Sequence, residues 1–312
     1  MKTVSNVVNG YPHVSADVRR RVEAAVVDLG YRPNASARTP RTGRTGILAL
    51  VLPDADLPYA DEFAREVVHA AGGRGYRVVV ERGHPSPGQD DARPMPVDGV
   101  LLGAPASPST AAGRPVVLVG GGVPDPRCDQ IRVDLAAAAE DATTHLLRAG
   151  RRRIAAVGAY PVGPDGVPRP GTVGYHRALR DAGVTAVPGY LLPGRHDRRA
   201  DGYRAARDLF AGPDRPDAIF CFSDPLAIGA MRAAFDAGLR VPTDVAVMGV
   251  GDIEEGRYSR PTLSTVAVDT GFLAREAVAR LTARIEHPDT TVAEVIAPHT
   301  VLARESTDVP AR

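Results

Sequence analysis

Cysteine, lysine and long apolar runs are all scarce in this chain of 312 residues. Its two cysteines, Cys128 and Cys221, lie far apart in sequence, so a disulfide framework is not expected and a reducing, cytoplasmic setting is predicted. No stretch approaches the roughly 18 consecutive apolar residues of a membrane span. No apolar signal segment is recognised either, so we expect neither a membrane protein nor a secreted one.

Charge of one sign is also lacking overall, because 38 Lys+Arg residues are balanced by 37 Asp+Glu residues. Any contact with nucleic acid must therefore come from a local basic face. The first 44 residues carry such a bias, and their acidic residues are Asp17, Glu23 and Asp28. The basic residues of this segment are Lys2, which is the single lysine of the chain, and Arg19, Arg20, Arg21, Arg32, Arg38, Arg41 and Arg44.

Beyond this segment, short apolar runs such as "ILALVL", "VVLV" and "AIFC" alternate with helical patterns to near the end of the chain. Such alternation predicts parallel sheets covered by helices. The number of runs is too large for one simple sheet, so we expect two similar lobes that divide near Gly150. Open parallel sheets bind ligands at their strand ends, so a ligand cleft is expected between the lobes.

The basic segment itself contains two short helical patterns joined by "NGYPHVS". Ser15 is a plausible N-cap of the second helix. Its apolar face comprises Val18, Val22, Ala25, Val26 and Leu29. This pattern fits the second and third helices of a helix-turn-helix domain, and it also fits a helical hairpin packed on the body.

Several segments of the sequence closely resemble those of the LacI/GalR family of bacterial transcription regulators. The resemblance begins with "TVSNVVNG" and "HVSADVRRRVEAAVVDLGYRPNASAR", and continues through "GRRRIAAVG", "LAIGAMRAAFDAGLRVPTDVAVMGVGDI" and "RESTDV". It implies an α/β body of two lobes, each a parallel sheet flanked by helices, like the periplasmic sugar-binding proteins. It also implies an all-α helix-turn-helix headpiece and a homodimer that binds a near-palindromic double-stranded operator.

By this resemblance, residues 1–33 form a partial headpiece, residues 34–45 a hinge, and residues 46–312 the body, in which the chain recrosses between lobes near 265–270. Family members have a first helix before the position of Met1, which closes the headpiece core against Val4, Val7 and Val8. Without it we expect a frayed headpiece. Met1 as an internal residue of a longer protein and Met1 as a true truncation both stay open.

The resemblance implies base contacts from Met1, Lys2 and Asn6. Asn6 suits bidentate pairing with adenine, and Lys2 suits guanine or phosphate. The implied phosphate contacts are Thr3, Ser5, Asn9 and His13, and His13 also fits an exposed histidine of the turn. In the hinge, Asn34 is a good N-cap of a helix that includes Arg38, and both are implied DNA contacts.

Pro40 stands where the family usually inserts a leucine between base pairs. Because proline disfavours the α conformation of the residue before it, the hinge helix should stop near Thr39. A kinked operator centre and a plain linker both stay open.

The resemblance also implies a set of ligand contacts in the interlobe cleft. The first lobe supplies Asp54, Tyr59 and Ala60, Asp134 lies near the lobe crossing, and the second lobe supplies Phe220, Ser223 and Asp224. Phe220 fits simple core packing as well as a ligand platform, and Asp224 also fits a helix cap.

Two anchors of the sugar-binding members are replaced here, an arginine by Gly171 and an aspartate by Gly251. Because a charged hydrogen bond contributes roughly 1.5–3 kcal/mol, losing both would weaken sugar binding by orders of magnitude. Three readings stay open: Arg169 and Asp252 substitute from neighbouring positions, the effector is not a typical sugar, or no effector binds.

The sequence contains no catalytic motif, metal spacing or cofactor fingerprint that we recognise, so neither an enzyme nor a cofactor is predicted. The function expected is that of a ligand-responsive transcription regulator, usually a repressor. The alternative is a cytoplasmic sensor that has lost DNA binding and acts by dimerising with intact relatives.

Overall fold

The computed structural model describes residues 7, 14–28, 44–52, 58–83, 96–103, 113–120, 125–163, 166–193 and 198–308. The chain forms two compact units, Met1–Gly46 and Ile47–Arg312. In the first unit, helix α1 spans Ala16–Asp28. The Ser15 carbonyl accepts the N–H of Arg19 at 3.0 Å, which is the first bond of a helix capped at this position.

The apolar face of α1 follows the helical period. Val18, Val22 and Val26 are half-buried, whereas Ala25, which the sequence pattern placed on the same face, is exposed. Val7 is helical and only 6% exposed. Leu29, the last residue of the predicted face, lies outside the described residues, and the described part of the face comprises three valines at i, i+4 and i+8.

The second unit contains two sheets, and the first has six strands in the order β11-β5-β4-β3-β1-β2, all parallel. Its strands are β1 Ile47–Leu52, β2 Arg77–Arg82, β3 Gly99–Gly103, β4 Val116–Val119, β5 Asp129–Val133 and β11 Glu294–Ala297. Helices α2 Pro58–Gly72 and α8 Thr270–Glu286 pack against it. Strand β1 reads "ILALVL" and is almost wholly buried, as expected for a central strand covered on both faces.

The second sheet also has six strands, in the order β12-β10-β9-β8-β6-β7. They are β6 Ile154–Val157, β7 Leu191–Leu192, β8 Ala218–Cys221, β9 Ala246–Val250, β10 Ser264–Val268 and β12 His299–Leu302. Its helices are α3 Leu135–Arg148, α4 Pro170–Asp181, α5 Arg199–Ala211, α6 Asp224–Asp236 and α7 Glu254–Arg257. Only the β10–β12 pair is antiparallel among these strands. The predicted fold of two parallel sheets flanked by helices is confirmed.

Glycines let the helices of the second lobe approach closely. A Cβ added at Gly229 of α6 would overlap the backbone of α5, and one at Gly202 of α5 would overlap the backbone of α6. Gly174 of α4 meets Ala136 of α3 in the same way. These pairs therefore pack backbone against backbone, which a larger residue would prevent.

The chain passes between the two sheets three times, each time within a short segment. The first passage lies at Asp134, because α3 already packs in the core of the second lobe. The second lies at Asp269, between β10 and α8, and the third at Pro298, between β11 and β12. The first passage thus precedes Gly150, and the second lies within 265–270.

Candidate ligand site at the facing strand ends

The passages fix how the two sheets face each other. Strands β5 and β11 of the first sheet end directly before a passage, and so does β10 of the second. Strand β12 begins beside the end of β10, with His299 paired to Val268. Because the parallel strands end at these passages in both lobes, their carboxyl edges face each other. This is the edge at which open parallel sheets bind ligands.

The described carboxyl edge of the second sheet includes three segments that follow its central strands. Gly158–Tyr160 follows β6, Phe222 and Ser223 follow β8, and 251–253 follows β9. On the first sheet, Asp134 follows β5, while residues 53–57, 104–112 and 121–124 lie outside the described residues. The second lobe is therefore the half of the site whose geometry is defined.

Asp224 is fully buried at the start of α6 and joins three elements of this edge. Its Oδ2 accepts the backbone N–H of Ile253 at 2.9 Å, and its Oδ1 accepts the hydroxyl of Thr265 at 2.6 Å. The close approach depends on Gly249, because a Cβ there would overlap Oδ1 of the carboxylate. Asp224 thus fastens α6 to β9 and β10, and both carboxylate oxygens are occupied.

Burial raises the pKa of the Asp224 carboxyl to about 6, since the charged form is poorly solvated there. The hydrogen bonds from Thr265 and Ile253 favour the charged form and offset part of this effect. The neighbouring carboxylate of Asp252 raises the pKa further, and the positive charge of Arg304 lowers it. The group therefore titrates between mildly acidic and neutral pH.

Asp252 lies beside this network and pairs with two arginines. Arg257 Nη2 lies 2.7 Å from Oδ2, and Arg304 Nη2 lies 2.5 Å from Oδ1. Arg304 also donates to the carbonyl of Leu263 at 2.8 Å. Asp252 has a φ of 53°, in the left-handed region that aspartate adopts more readily than most residues. Both of its oxygens are thus engaged within the protein.

Asp134 and Arg169 occupy the N-cap positions of α3 and α4. The Asp134 side chain accepts the N–H groups of Ala136 and Ala137 at 3.1 and 2.9 Å, so one of its oxygens serves as a helix cap. Arg169 makes no side-chain cap, and its guanidinium lies against Gly163 in the loop that follows β6. Asp134 is exposed at the first passage.

Two phenylalanines of β8 and its end share one face of the sheet. Phe220 is fully buried in the core beneath α3 and α4, which matches the core reading of this residue. Phe222 is half-buried, and its ring centroid lies 4.8 Å from that of Phe220. A Cβ added at Gly171 would overlap Phe222 Cε1 and lie 3.0 Å from Cδ1. The Phe222 ring therefore occupies the space beside Gly171, where a side chain would otherwise project.

Ser223 caps α6 by position, yet its hydroxyl makes no cap bond. Its Oγ is buried and has no hydrogen-bond partner within the described part of the chain. In the first lobe, Ala60 is 2% exposed in the core. Ser223 therefore offers an unused hydroxyl at the strand ends, whereas Ala60 lies inside the first lobe.

The remaining predicted site residues have no described side chain. The DNA-contact predictions that lie outside the described residues are Met1, Lys2, Thr3, Ser5, Asn6, Asn9, His13, Asn34 and Arg38. Pro40 and Asp54 lie outside them as well, and of Tyr59 only the helical backbone is described.

Three residues of this edge were missed by reasoning from sequence: Phe222, Thr265 and Arg304. Phe222 had a signal, because it stands two residues after Phe220 and so shares its face of the strand. Thr265 and Arg304 had none, since each meets its aspartate across a long sequence separation.

Comparison with known proteins places this geometry in a family. Residues 143–307 match the family model of the periplasmic binding protein-like domain, and residues 1–34 match that of the bacterial regulatory proteins, lacI family. The ribose operon repressor of Escherichia coli strain K12 is 30% identical over 300 residues, which cover 92% of this chain and 89% of that protein. The chain belongs to the LacI family of bacterial regulatory proteins. The resemblance drawn from its motifs is confirmed.

Solved structures of this LacI-family fold are similar over most of the chain. A LacI-family protein from Sanguibacter keddieii is 33% identical with a TM-score of 0.77, covering 85% of this chain and 99% of that chain. The transcriptional regulator CelR, in complex with cellobiose, is 29% identical with a TM-score of 0.73, covering 98% of this chain and 95% of that chain.

This LacI-family chain is a ligand-responsive, DNA-binding transcriptional regulator. The named relatives are regulators of transcription, not enzymes. Among the helices that the structure describes, none combines the length and apolar character needed to cross a membrane.

Proposed function

We propose that this regulator is a cytoplasmic repressor without catalytic activity that binds a near-palindromic operator as a homodimer. A small molecule bound between the facing strand ends changes its operator affinity. One observation carries the proposal: a regulatory-protein region at 1–34 shares a chain with two sheets whose carboxyl edges face each other. CelR, a relative of similar architecture, is known in complex with cellobiose.

The coupling follows from the three passages. An effector that touches both edges favours a closed arrangement of the lobes, and the short passages are where the chain bends. The first lobe begins with β1 at Ile47, directly after the regulatory unit in sequence, so a shift of the first lobes changes the spacing of the two DNA-binding regions. Coupling of this kind is typically about 1–3 kcal/mol.

In this proposal the family's DNA contacts carry over residue by residue. Lys2 and Asn6 reach base edges, while the flanking and hinge contacts to the DNA backbone come from Thr3, Ser5, Asn9, His13, Asn34 and Arg38. Asn6 and Lys2 contribute base preference, whereas the contacts to the DNA backbone mainly contribute affinity, because phosphate contacts carry no sequence information.

The effector contacts are proposed on both lobes. Asp54 and Tyr59 contribute from the first lobe, Asp134 contributes from the first passage, and Ser223 contributes its unused hydroxyl. Arg169 remains a candidate at the start of α4.

The test is a binding measurement with the protein isolated from its native cells, in which any residues that precede Met1 are retained. An operator selected from random duplexes is labelled, and its Kd is compared with that of a scrambled duplex by fluorescence anisotropy. We expect at least about a 1000-fold preference, and a dimer by sedimentation. Equal affinity for both duplexes would contradict operator recognition. A protein that is a dimer but shows no preference for the operator would instead fit a sensor that acts through other regulators.

A further inference from the structure

The described wall of the second lobe offers little free charge to a ligand. Both oxygens of Asp224 are engaged by Ile253 and Thr265, and both oxygens of Asp252 are engaged by arginines. Positions 171 and 251, at the start of α4 and after β9, are glycines and offer no side chain to a ligand. The carboxylates of Asp224 and Asp252 on this wall are therefore already bonded inside the protein and offer a polyol no free charge-assisted hydrogen bond.

An aromatic ring stands in place of those charges. Phe222 lies at the carboxyl end of β8, where its backbone N–H donates to the carbonyl of Val157 at 3.0 Å. Its ring reaches across to Gly171 at the start of α4 and remains half-buried. Because Gly171 has no side chain, the ring occupies the space into which a side chain at position 171 would project.

The surface around the start of α4 is apolar too. Tyr160, Val162, Val167 and Val173 are 41%, 50%, 48% and 39% exposed, and they account for four of the ten exposed large hydrophobic residues of the described chain. Clustering of this kind marks a binding surface more often than scattered apolar residues do. The unpartnered hydroxyl of Ser223 is the polar group adjacent to Phe222.

We propose that the effector presents a flat aromatic or heteroaromatic ring to Phe222, with one polar atom bonded to Ser223 Oγ. Ring stacking replaces the charge-assisted contacts that hold sugars, so a sugar alone is a poor ligand. This inference rests on the proposed function, because it names the ligand class of the same site.

Matched ligand pairs test the ring directly. The full chain is titrated by calorimetry with adenosine and with ribose, and then with phenyl β-glucoside and with glucose, so that each pair differs by its ring. We expect the ring-bearing member of at least one pair to bind at least about 10-fold more tightly than its sugar. Equal affinity within both pairs, or no binding by either ring-bearing compound, overturns the inference.

A variant pair then tests the position. Phe222→Leu keeps apolar volume and removes the aromatic face, so the ring-bearing ligand should weaken by about 3- to 10-fold. Phe235→Leu makes the same change at a residue that is 75% exposed on α6, and should leave affinity unchanged. Thermal melts of both variants report folding. If the folded Phe222→Leu variant binds the ring-bearing ligand as tightly as the wild type does, the inference is overturned. It is also overturned if the variant loses as much affinity for the sugar as for the ring-bearing ligand.

Failure of this inference and failure of the proposed function are distinguishable. If the operator is bound specifically and a sugar shifts its affinity, the proposed function stands and the ring hypothesis falls. If the ring-bearing ligand binds but operator recognition is absent, the ring hypothesis stands and the repressor function falls.

Discussion

Replacing Asp224 by asparagine should change how stability depends on pH. The pKa of this carboxyl is raised from 3.8 in the unfolded chain to about 6 in the folded protein, mainly by burial. A group with a raised pKa binds its proton more tightly when folded. It therefore stabilises the fold below about pH 4, and this contribution is lost as pH rises through about 6.

The magnitude follows from the shift. A pKa difference of about two between the folded and unfolded protein corresponds to about 3 kcal/mol of stability over the full titration. Between about pH 4.5 and 7.5, the linkage relation gives a loss of about 2 kcal/mol in the wild type that Asp224→Asn should not show. Asparagine retains a carbonyl oxygen for the N–H of Ile253, and its amide can donate to the Thr265 hydroxyl, so the variant should fold.

The assay is urea denaturation of wild type and variant at a series of pH values. Asp244→Asn is the matched control, because pairing with Arg240 lowers the pKa of Asp244 to about 2, and its titration lies below this pH range. The difference between wild type and Asp224→Asn should change by about 2 kcal/mol, and the difference for the control should stay flat. Parallel profiles for wild type and Asp224→Asn would refute the burial argument.

Three further outcomes are expected. Gly229→Ala should cost about 1–3 kcal/mol of unfolding free energy, because the added methyl overlaps the backbone of α5, whereas Gly72→Ala, with nothing within 4 Å, should be neutral or stabilising in the same denaturation assay. Arg304→Gln should lower the free energy of unfolding by about 1–3 kcal/mol, because it leaves the part-buried carboxylate of Asp252 with Arg257 as its remaining arginine partner. Arg257→Gln should cost less, because Arg257 is 51% exposed. Equal losses for the two variants would contradict the burial argument. Asn6→Ala should lower affinity for the selected operator by about 1–3 kcal/mol and leave random DNA unchanged, and equal losses on both would remove its base-reading role.

Much of the fold was predictable because its signals are local. The runs "ILALVL", "VVLV" and "AIFC" are largely buried strands in the structure. These elements follow from apolar periodicity within a few residues, which depends little on the rest of the chain. The antiparallel pairing of β12 was not predicted, since strand direction depends on the path that the chain takes between lobes.

The candidate ligand contacts of the second lobe stay predictions, and the structure adds detail that the sequence does not carry. The family resemblance implies contacts from Phe220, Ser223 and Asp224, and the structure places Phe220 within β8 and the other two just after it. The sequence left core packing and a ligand platform both open for Phe220, and it did not single out Phe222, whose ring meets Gly171. Phe220 and Phe222 lie two residues apart and look equivalent in the sequence. Which of the two reaches the edge of the sheet depends on where the strand ends and on what packs over it.

The sequence by itself determined the family, the two-sheet fold and the segments that meet at the strand ends, because each is written in contiguous motifs. Only the tertiary structure decided which polar groups at that edge remain available. Nothing in the sequence distinguishes Asp224 and Asp252 from aspartates whose carboxylates are free to bind a ligand. Their partners, Thr265 and Arg304, lie far along the chain. Hydrogen bonding between distant residues is set by packing, so the chemistry left for a ligand is a property of the folded protein.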